Sequence, residues 1–304
     1  MSESLPLVSV GIPVYNGQDY IGRALDGILA QDYPNLEIIV SDNASDDGTP
    51  QVLTEYAAKD PRVCVLWSDH NRGVARNFNR VLDAAGGDYF MWHAADDECL
   101  PGHVSSCVNA LRAMPAAVAA FSKITLIGPT GEVIGNYDDD ELDFINRGPA
   151  ERVDHYLHRQ VYQVVGYGSV IPTAVLRSLG GHPVYSGGDV VLGIDLALRG
   201  PWIQVPERSF RLRYHDAQVN RDQGRDVVAQ VQAHIPEFDR PVAFPQWYLN
   251  HRVLMATLTA QVAVRERIKA FGHAVRRWTI PNWKSFPVDV KRNLVHLSAH
   301  SRSS

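Results

Sequence analysis

The sequence has few cysteines, no secretory leader pattern and no long apolar run. The three cysteines, Cys64, Cys99 and Cys107, are spaced neither as paired metal ligands nor as a disulfide framework, which favours a reducing compartment such as the cytoplasm. The N-terminal stretch MSESLPLVSV has no basic segment followed by an apolar one, so no signal peptide is expected. The apolar segment at 253–264 is interrupted by two threonines and a glutamine, and it is too short to span a bilayer.

Two common nucleotide-binding motifs are also missing. No GxGxxG follows the first predicted strand, which excludes a dinucleotide fingerprint, and no GxxxxGK[ST] occurs, which excludes a P-loop protein. The net charge of −5 argues against a general nucleic-acid-binding protein. The charge is uneven, because residues 246–304 carry ten Lys or Arg against Glu266 and Asp289, about +8, whereas residues 1–245 carry about −13.

Short apolar runs alternate with helical patterns over residues 1–120, and short loops join them. The runs are continuously apolar, as in the strands of a parallel sheet that helices cover on both faces. The pattern predicts strands at 7–12, 36–41, 62–67, 88–93 and 117–123, and helices at 19–30, 49–58, 73–85 and 101–113.

The second half of the chain is less regular. Residues 124–135 predict a hairpin with GPTG as its turn, and residues 166–183 predict a short strand, a helix and a glycine turn. Further along, the pattern favours helices at 189–198, 220–233 and 247–276, and strands at 202–206 and 209–215.

Polar side chains follow three of the predicted strands, at the point where each strand ends. The segment LEIIVSDNASDDGT at 36–49 is the clearest case, and PVYNG at 13–17 and AADDE at 94–98 repeat the design. Ligands of open α/β sheets bind at the carboxyl ends of the strands. The sequence therefore predicts one site built from several loops.

These segments together resemble the inverting glycosyltransferases of family 2, which have the GT-A fold. The resemblance covers residues 7–215 and rests on three blocks: VSVGIPVYNGQDYIGRALDGILAQDYPNLEIIVSDNASDDGT, HNRGVARNFNRVLDAAGGDYFMWHAADD, and GGDVVLGIDLALRGPWIQVPE followed by RLRYH. It implies an α/β protein with a mixed, mostly parallel sheet flanked by helices. Residues 1–218 would be the catalytic domain, with a nucleotide-sugar half at 1–123 and an acceptor half at 124–218. Residues 219–304 would be a basic helical extension.

The resemblance assigns the donor nucleotide to the first two strand ends and to the third helix. The loop with Pro13, Tyr15 and Asn16 would frame the base, with Tyr15 against the ring. An ordinary strand-to-helix turn is the alternative. Asp42 would accept a hydrogen bond from N3–H of uracil or thymine, since an ionised carboxylate only accepts.

The start of the third helix is the expected diphosphate region. Asn71, Arg72 and Arg76 lie there, and a cation beside a helix N-terminus suits phosphate oxygens. A solvated surface arginine is the alternative. Asp46 and Asp47 are expected to cap the second helix instead of touching the donor.

Asp96 and Asp97 are the candidate metal ligands. The family has an Asp-x-Asp motif here, and in this chain Ala94 replaces the first aspartate while Asp96 matches the second. The resemblance implies Mg²⁺ or Mn²⁺ on Asp96, with His215, at the end of RLRYH, completing the metal shell or bonding a phosphate oxygen. His93 is expected to be a core or wall residue. The acidic run at 138–141 is interpreted as a solvated loop in preference to a second metal site.

Asp189 is the candidate catalytic base. The family has an acidic pair at the start of a helix beneath the acceptor, and here the pair reads Gly188-Asp189, so only the aspartate is present. A carboxylate within reach of the acceptor hydroxyl can take its proton as attack proceeds. Asp189 would also serve as an N-cap, and the two roles are compatible.

The resemblance implies an enzyme of hexosyltransferase type. It would move a sugar from a nucleotide-diphosphate sugar, with UDP first and dTDP next, to a hydroxyl of a glycan, glycolipid or lipid-linked acceptor with inversion. Two alternatives stay open: a catalytically inactive sugar-nucleotide binding module, suggested by Ala94 and Gly188, and a sugar-phosphate nucleotidyltransferase. The latter needs a glycine-rich loop with a basic residue after the first strand, which residues 12–18 do not supply.

Residues 246–304 combine their basic excess with aromatic residues, namely Trp247, Tyr248, Phe271, Trp278, Trp283 and Phe286. Basic helices with tryptophan can lie in a membrane interface. Peripheral contact at the cytoplasmic face of a membrane is therefore one interpretation of this tail. Packing on the catalytic domain and formation of a homodimer are the others.

Overall fold

A computed structural model describes residues 5–137, 142–160, 167–215 and 227–300. The strands are β1 (Val8–Val14), β2 (Leu36–Asp42), β3 (Val63–Trp67), β4 (Tyr89–Trp92), β5 (Glu98–Cys99), β6 (Ala119–Phe121), β7 (Ile124–Ile127), β8 (Val133–Asn136), β9 (Val170–Pro172), β10 (Trp202–Gln204) and β11 (Phe210–Arg213). The helices are α1 (Ile21–Leu29), α2 (Thr49–Lys59), α3 (Val74–Ala84), α4 (His103–Ala113), α5 (Pro149–Arg159), α6 (Thr173–Ser178), α7 (Gly188–Arg199), α8 (Val227–His234), α9 (Pro245–Thr259), α10 (Val264–Ala274), α11 (Ile280–Asn282) and α12 (Phe286–His300). A π-helical turn, Val275–Thr279, and a 3₁₀ turn, Trp283–Ser285, flank α11.

Seven of the described strands form one central sheet, in the order β10-β6-β9-β4-β1-β2-β3. All neighbours pair in parallel except β9, which is antiparallel to both β4 and β6. All seven residues of β1 are buried, as expected for a strand with helices on both faces. The predicted mixed, mostly parallel sheet flanked by helices is confirmed.

The strand register brings the polar strand ends to one edge. Val14 pairs with Asp42, and Asp42 pairs with Trp67, so β1, β2 and β3 end at the same level. Asn43 follows as the backbone amide donor to Val14 O, at 2.9 Å. The carboxyl ends of the three strands therefore lie at one edge of the sheet, which is where open α/β sheets bind ligands.

A second sheet of four strands, in the order β5-β11-β7-β8, sits beside the first. The strand β11 runs antiparallel to β5, with Arg211 opposite Glu98, and parallel to β7. The strands β7 and β8 form the predicted hairpin around residues 128–131. This small sheet fixes residues 213–215 next to the loop after β4.

The helix predicted at 247–276 is two helices in the structure, α9 and α10, separated at residues 260–263. Thr257 and Thr259 donate their hydroxyls to the carbonyls of Leu254 and Met255, at 2.7 and 2.9 Å, and such back-bonding weakens the helix ladder. The backbone then becomes extended at Ala260, with ψ of 144°. The prediction of one continuous helix was wrong because the apolar pattern continues across the break.

The C-terminal helices pack on the rest of the molecule through α9 against α7 and α10 against α5. Within the described part of the chain, no helix is long and apolar enough to cross a membrane. The predicted helix at 220–233 is present from Val227 onward, and residues 216–226 lie outside the described part. The acidic run at 138–141 and the proposed boundary at 218/219 also lie outside it.

Candidate active site

Asp42 is the last residue of β2, at the edge where the three strands end. The residue is only 3% exposed, and its Oδ1 accepts hydrogen bonds from Ser45 N at 3.3 Å and Ser45 Oγ at 2.5 Å. Both bonds go to the same oxygen, and among the described residues no bond to Oδ2 is formed. Tyr15, which follows β1, is half-exposed. A buried acceptor oxygen and an exposed aromatic ring therefore stand at adjacent strand ends.

The loop after β1 is held to the loop after β2 by side-chain bonds. Asn16 has a positive φ of 52°, and its Nδ2 donates to Asp46 Oδ1 at 2.7 Å while its Oδ1 accepts from Asp46 N at 3.0 Å. Asp47 accepts from Thr49 N at 2.9 Å, but the N-cap residue of α2 is Gly48. The prediction that Asp46 and Asp47 cap this helix was therefore wrong for Asp46, which bonds Asn16, and Asp47 lies one residue before the cap position. Burial alone would raise the pKa of Asp47, but hydrogen bonds from Thr49 and Gln18 lower it. Pro13 pairs with Ser41 across β1 and β2.

Asn71 forms hydrogen bonds at the start of α3. Its Oδ1 accepts from Asn43 Nδ2 and from Gly73 N, both at 2.9 Å, and Asn43 Oδ1 accepts from Arg72 N at 2.9 Å. Asn43 is 3% exposed and was not among the predicted site residues. The two asparagines fix the N-terminus of α3 to the end of β2.

Asn77 is a second residue that the sequence reasoning missed. It is 4% exposed, and its Nδ2 donates to Ser41 O at 3.0 Å and Val14 O at 3.3 Å while its Oδ1 accepts from Ser41 Oγ at 2.6 Å. The side chain thus ties together the ends of β1 and β2. The available signal was a polar residue on the same helix face as Phe78 and Val81.

The two candidate diphosphate arginines are both engaged by carboxylates. Arg72 donates to Asp69 Oδ1 at 2.9 Å. Arg76 donates to both oxygens of Glu237, at 2.5 and 2.7 Å, and Glu237 belongs to the segment between α8 and α9. Each arginine side chain is 41% exposed. The pair of Arg76 with Glu237 links the candidate donor side to the C-terminal helices.

Asp96 and His215 are brought together across the two sheets. His215 Nε2 lies 2.9 Å from Asp96 Oδ2, and the His215 ring packs on Tyr20 with centroids 4.7 Å apart. The pairing depends on Arg213, which is fully buried and donates to Asp96 O at 2.7 Å and to the Glu98 carboxylate. The family resemblance implied that Asp96 and His215 would meet. The local sequence around either residue does not predict it.

Asp97 lies beneath this pair. It is 1% exposed, and its Oδ1 accepts from Arg213 N at 2.8 Å, whereas its Oδ2 is buried with no hydrogen-bond partner among the described residues. Burial, and then the charge of Asp96, raise the pKa of Asp97 well above its usual value. Among the described residues, no three His, Cys, Asp or Glu side chains gather as a metal cluster.

His93 is a wall residue, as predicted. It is fully buried beside Phe210, and its Nδ1 lies 2.8 Å from Ala94 O. Burial lowers the pKa of His93 to about 4, so the ring is neutral at physiological pH.

Asp189 lies in the first turn of α7, and the described residues donate no hydrogen bond to its carboxylate. Its negative charge affects the pKa values of three aromatic side chains. Burial raises the pKa of Tyr167, and the charge of Asp189 raises it further. Burial lowers the pKa values of His182 and His234, and the charge of Asp189 partly offsets that lowering. His234 ends α8 and was not predicted. The Asp189 carboxylate therefore lies close enough to one tyrosine and two histidines to influence their pKa values.

Gly188 explains why the acidic pair is reduced to one residue. A Cβ at this position would lie 2.6 Å from Pro183 O and 3.0 Å from Pro183 Cβ. Real Cβ atoms do not approach a backbone carbonyl this closely, so a side chain would require the 182–183 turn to move. In this backbone the position admits glycine alone.

The family model for glycosyl transferase family 2 matches residues 9–180, more than half of the chain. The chain belongs to glycosyltransferase family 2. Within the family it is 39% identical over 106 residues to an uncharacterized glycosyltransferase of Rickettsia prowazekii, and 38% identical over 98 residues to the putative teichuronic acid biosynthesis glycosyltransferase TuaG of Bacillus subtilis. These alignments cover 35% and 32% of this chain. The chain spans about a third of the length of these curated relatives, 32% and 39%.

Solved structures of other glycosyltransferases share the fold. Residues 1–349 of TarS from S. aureus, in complex with UDP, give a TM-score of 0.64 at 16% identity, over 89% of this chain and 71% of that chain. The mannosyltransferase PcManGT from Pyrobaculum calidifontis, in complex with GDP-Man and Mn²⁺, gives 0.50 at 18% identity, over 96% and 87%. The predicted family and the GT-A fold are therefore confirmed for this chain.

Proposed function

We propose that this family 2 glycosyltransferase moves a hexosyl group from a UDP- or dTDP-sugar to a hydroxyl of a glycan, glycolipid or lipid-linked acceptor, with inversion. The observation that carries the proposal is Asp42, whose buried carboxylate directs both bonds from Ser45 to one oxygen. The other oxygen suits the N3–H donor of uracil or thymine. Residues 1–218 would form the catalytic domain, with Pro13, Tyr15 and Asn16 around the base.

The diphosphate would bind at the start of α3. Asn71 and Asn43 already hold that helix end in place. The N-terminus of a helix favours a negative ligand nearby. Arg72 and Arg76 would then exchange their present carboxylate partners for phosphate oxygens. Bidentate arginine bonds to phosphate resemble those to carboxylate, so this exchange requires little change in geometry.

The residues around Asp96 fit a divalent cation in combination with the diphosphate. Mg²⁺ is usually held by one or two carboxylates plus substrate phosphates. Asp96 and His215, which lie 2.9 Å apart, would hold Mg²⁺ or Mn²⁺, with phosphate oxygens of the donor as further ligands. Asp97, the third predicted ligand, does not gather with them into a three-residue cluster among the described residues, since it is buried and its Oδ1 accepts from Arg213 N. Such a cation supplies charge neutralisation on the departing diphosphate.

Asp189 would act as the base in a single displacement. The acceptor hydroxyl oxygen forms a bond to the anomeric carbon while the bond from that carbon to the diphosphate oxygen breaks. Asp189 takes the hydroxyl proton, and the nucleoside diphosphate leaves with the bonding electrons. Its position in the first turn of α7, with no hydrogen bond to its carboxylate from the described residues, supports this role.

A catalytically inactive sugar-nucleotide binding module is the second candidate, and Ala94 with Gly188 favours it. Each position lacks a carboxylate that the family usually has. The two functions differ in turnover and agree in donor binding, so binding and transfer must be measured separately.

A thermal-shift screen of UDP-, dTDP- and GDP-sugars, each with Mn²⁺ and with EDTA, tests donor binding. A ligand of the folded state raises the Tm according to its affinity. We expect a shift for a UDP- or dTDP-sugar that Asp42→Asn largely removes. Asp83→Asn, a matched control at an exposed position in the last turn of α3, should retain the shift. No shift from any sugar nucleotide would overturn the donor assignment.

Release of nucleoside diphosphate with an acceptor extract tests turnover. We expect release from the wild-type chain, and none from Asp189→Asn at unchanged donor affinity. Donor binding without release by the wild-type chain would favour the inactive module. A large loss of donor affinity in Asp189→Asn would reject Asp189 as the base.

A further inference from the structure

The C-terminal helix presents an apolar stripe to solvent. Trp283, Pro287, Val290 and Leu294 are spaced i, i+4, i+7 and i+11, so they lie on one helix face. Trp283 is 58% exposed and Leu294 64%. With Trp247 and Phe286, whose ring centroids are 4.9 Å apart, the stripe lines an open groove of about 680 Å³. We call these six residues the tryptophan face.

The opposite side of the same helix is polar and buried. Asp289 is fully buried and accepts from Gln246 N at 2.9 Å and Trp247 N at 3.4 Å, at the start of α9. Asn293 is 4% exposed and bonds both the amide and the carbonyl of Ala243, at 2.8 and 2.6 Å. This is the reverse of an ordinary surface helix, which buries its apolar side. The tryptophan face is therefore not used by the core of the molecule.

The charge beside the tryptophan face has one sign. Residues 267–304 contain a single acidic residue, Asp289, and that residue is buried. Lys284 and Lys291 are exposed, and Lys291 lines the groove. A two-fold dimer through this face would bring this basic patch against its own copy, because such an interface uses the same patch on both subunits. Like charges in contact oppose that arrangement, so a negatively charged partner fits better.

We propose that the tryptophan face binds the surface of an anionic lipid bilayer. Tryptophan side chains favour the headgroup level of a bilayer, and aliphatic side chains such as Leu294 enter the acyl boundary. Lysines near an anionic surface add attraction. Asp289 and Asn293 hold the helix parallel to the molecular surface, so its apolar side can lie flat on a membrane. Membrane binding through the tryptophan face requires neither the proposed donor nor the proposed acceptor.

Co-sedimentation of the full chain with vesicles tests the proposal. We expect binding to vesicles that contain phosphatidylglycerol and much weaker binding to phosphatidylcholine alone. Trp283→Ser should weaken binding about tenfold, since half of a large apolar side chain returns to water. Lys284→Gln with Lys291→Gln should weaken it roughly 25-fold, from two lost electrostatic contacts.

Ile134→Ser is the matched control, because Ile134 is 55% exposed on β8, away from the C-terminal helices. Its vesicle binding should equal that of the wild-type chain. Equal binding by Trp283→Ser, with an unchanged Tm, would overturn the proposal. So would a dimer in light scattering that Trp283→Ser dissociates, since a second copy would then cover the face. Failure of the folded wild-type chain to bind either vesicle would also overturn it.

Discussion

Replacing Asp154 with asparagine is expected to lower the free energy of unfolding by about 1–2 kcal/mol at neutral pH. Asp154, in α5, receives bonds from Arg276 at 3.0 Å and Arg277 at 2.8 and 3.4 Å, and His273 Nδ1 lies 3.1 Å away. It thereby ties α5 to the π-helical turn after α10. Burial alone would raise the pKa of Asp154, but the two arginines and His273 lower it from 3.8 to about 2.

That shift sets both the size and the pH range of the effect. One pKa unit corresponds to about 1.4 kcal/mol, so the full shift would give about 2.5 kcal/mol. The side chain is 23% exposed, and solvent screening reduces this to about 1–2 kcal/mol. Because the folded-state pKa is lowered, the stabilisation is complete above about pH 4 and is lost as the pH falls towards about 2.

Urea unfolding of the wild-type chain and Asp154→Asn at pH 7 measures the difference directly. Glu55→Gln is the matched control, because Glu55 pairs with Lys59 in an exposed position and should contribute little. The difference between wild type and Asp154→Asn should shrink below pH 4. Equal midpoints at pH 7, or a difference that grows on acidification, would refute the reasoning.

Three further substitutions test other parts of the structure. Glu237→Gln should tighten donor binding in calorimetry, because it frees Arg76, and unchanged affinity would argue against a donor contact by Arg76. Asp195→Asn should stabilise the fold by about 1–2 kcal/mol at pH 8 and progressively less below pH 6. Burial raises the pKa of Asp195 to about 6, so the charged form of this side chain lowers the stability of the fold. An equal gain at pH 4 and pH 8 would contradict this. Gly188→Glu, which restores the family's acidic pair, should lower the Tm and reduce transfer, because its Cβ meets Pro183 O, and an unchanged Tm would show that the turn yields.

The sequence predicted the elements that local pattern decides. The strands of the first half appear within two or three residues of their predicted bounds, since continuous apolar runs between short loops leave few alternatives. The same pattern predicted that the polar ends of β1 and β2 would lie together at one edge of the sheet. Asp42 was placed there because it comes directly after an apolar run.

Contacts between residues far apart in the chain were not predicted from the sequence. Arg76 and Glu237 are 161 residues apart, and nothing in either local pattern indicates the other. The charge of Asp189 acts on His234, 45 residues further along the chain, where Gln230 of α8 bonds Ser186 just before α7. Asn77 could have been recognised from the sequence, because it is a polar residue on the apolar face of α3. The break between α9 and α10 at residues 260–263 could not, because the apolar pattern of the sequence continues through it.

The segment from α8 to Glu237 touches both halves of the candidate site. Gly73, with φ of +83°, would place a Cβ 2.5 Å from His234 O and 2.8 Å from Pro236 Cδ, so this segment packs tightly against the start of α3. On its other side, Gln230 donates to Ser186 Oγ at 3.2 Å, three residues before Asp189. A substitution here would change the Michaelis constants of donor and acceptor together, so kinetic data alone would not assign it to either substrate.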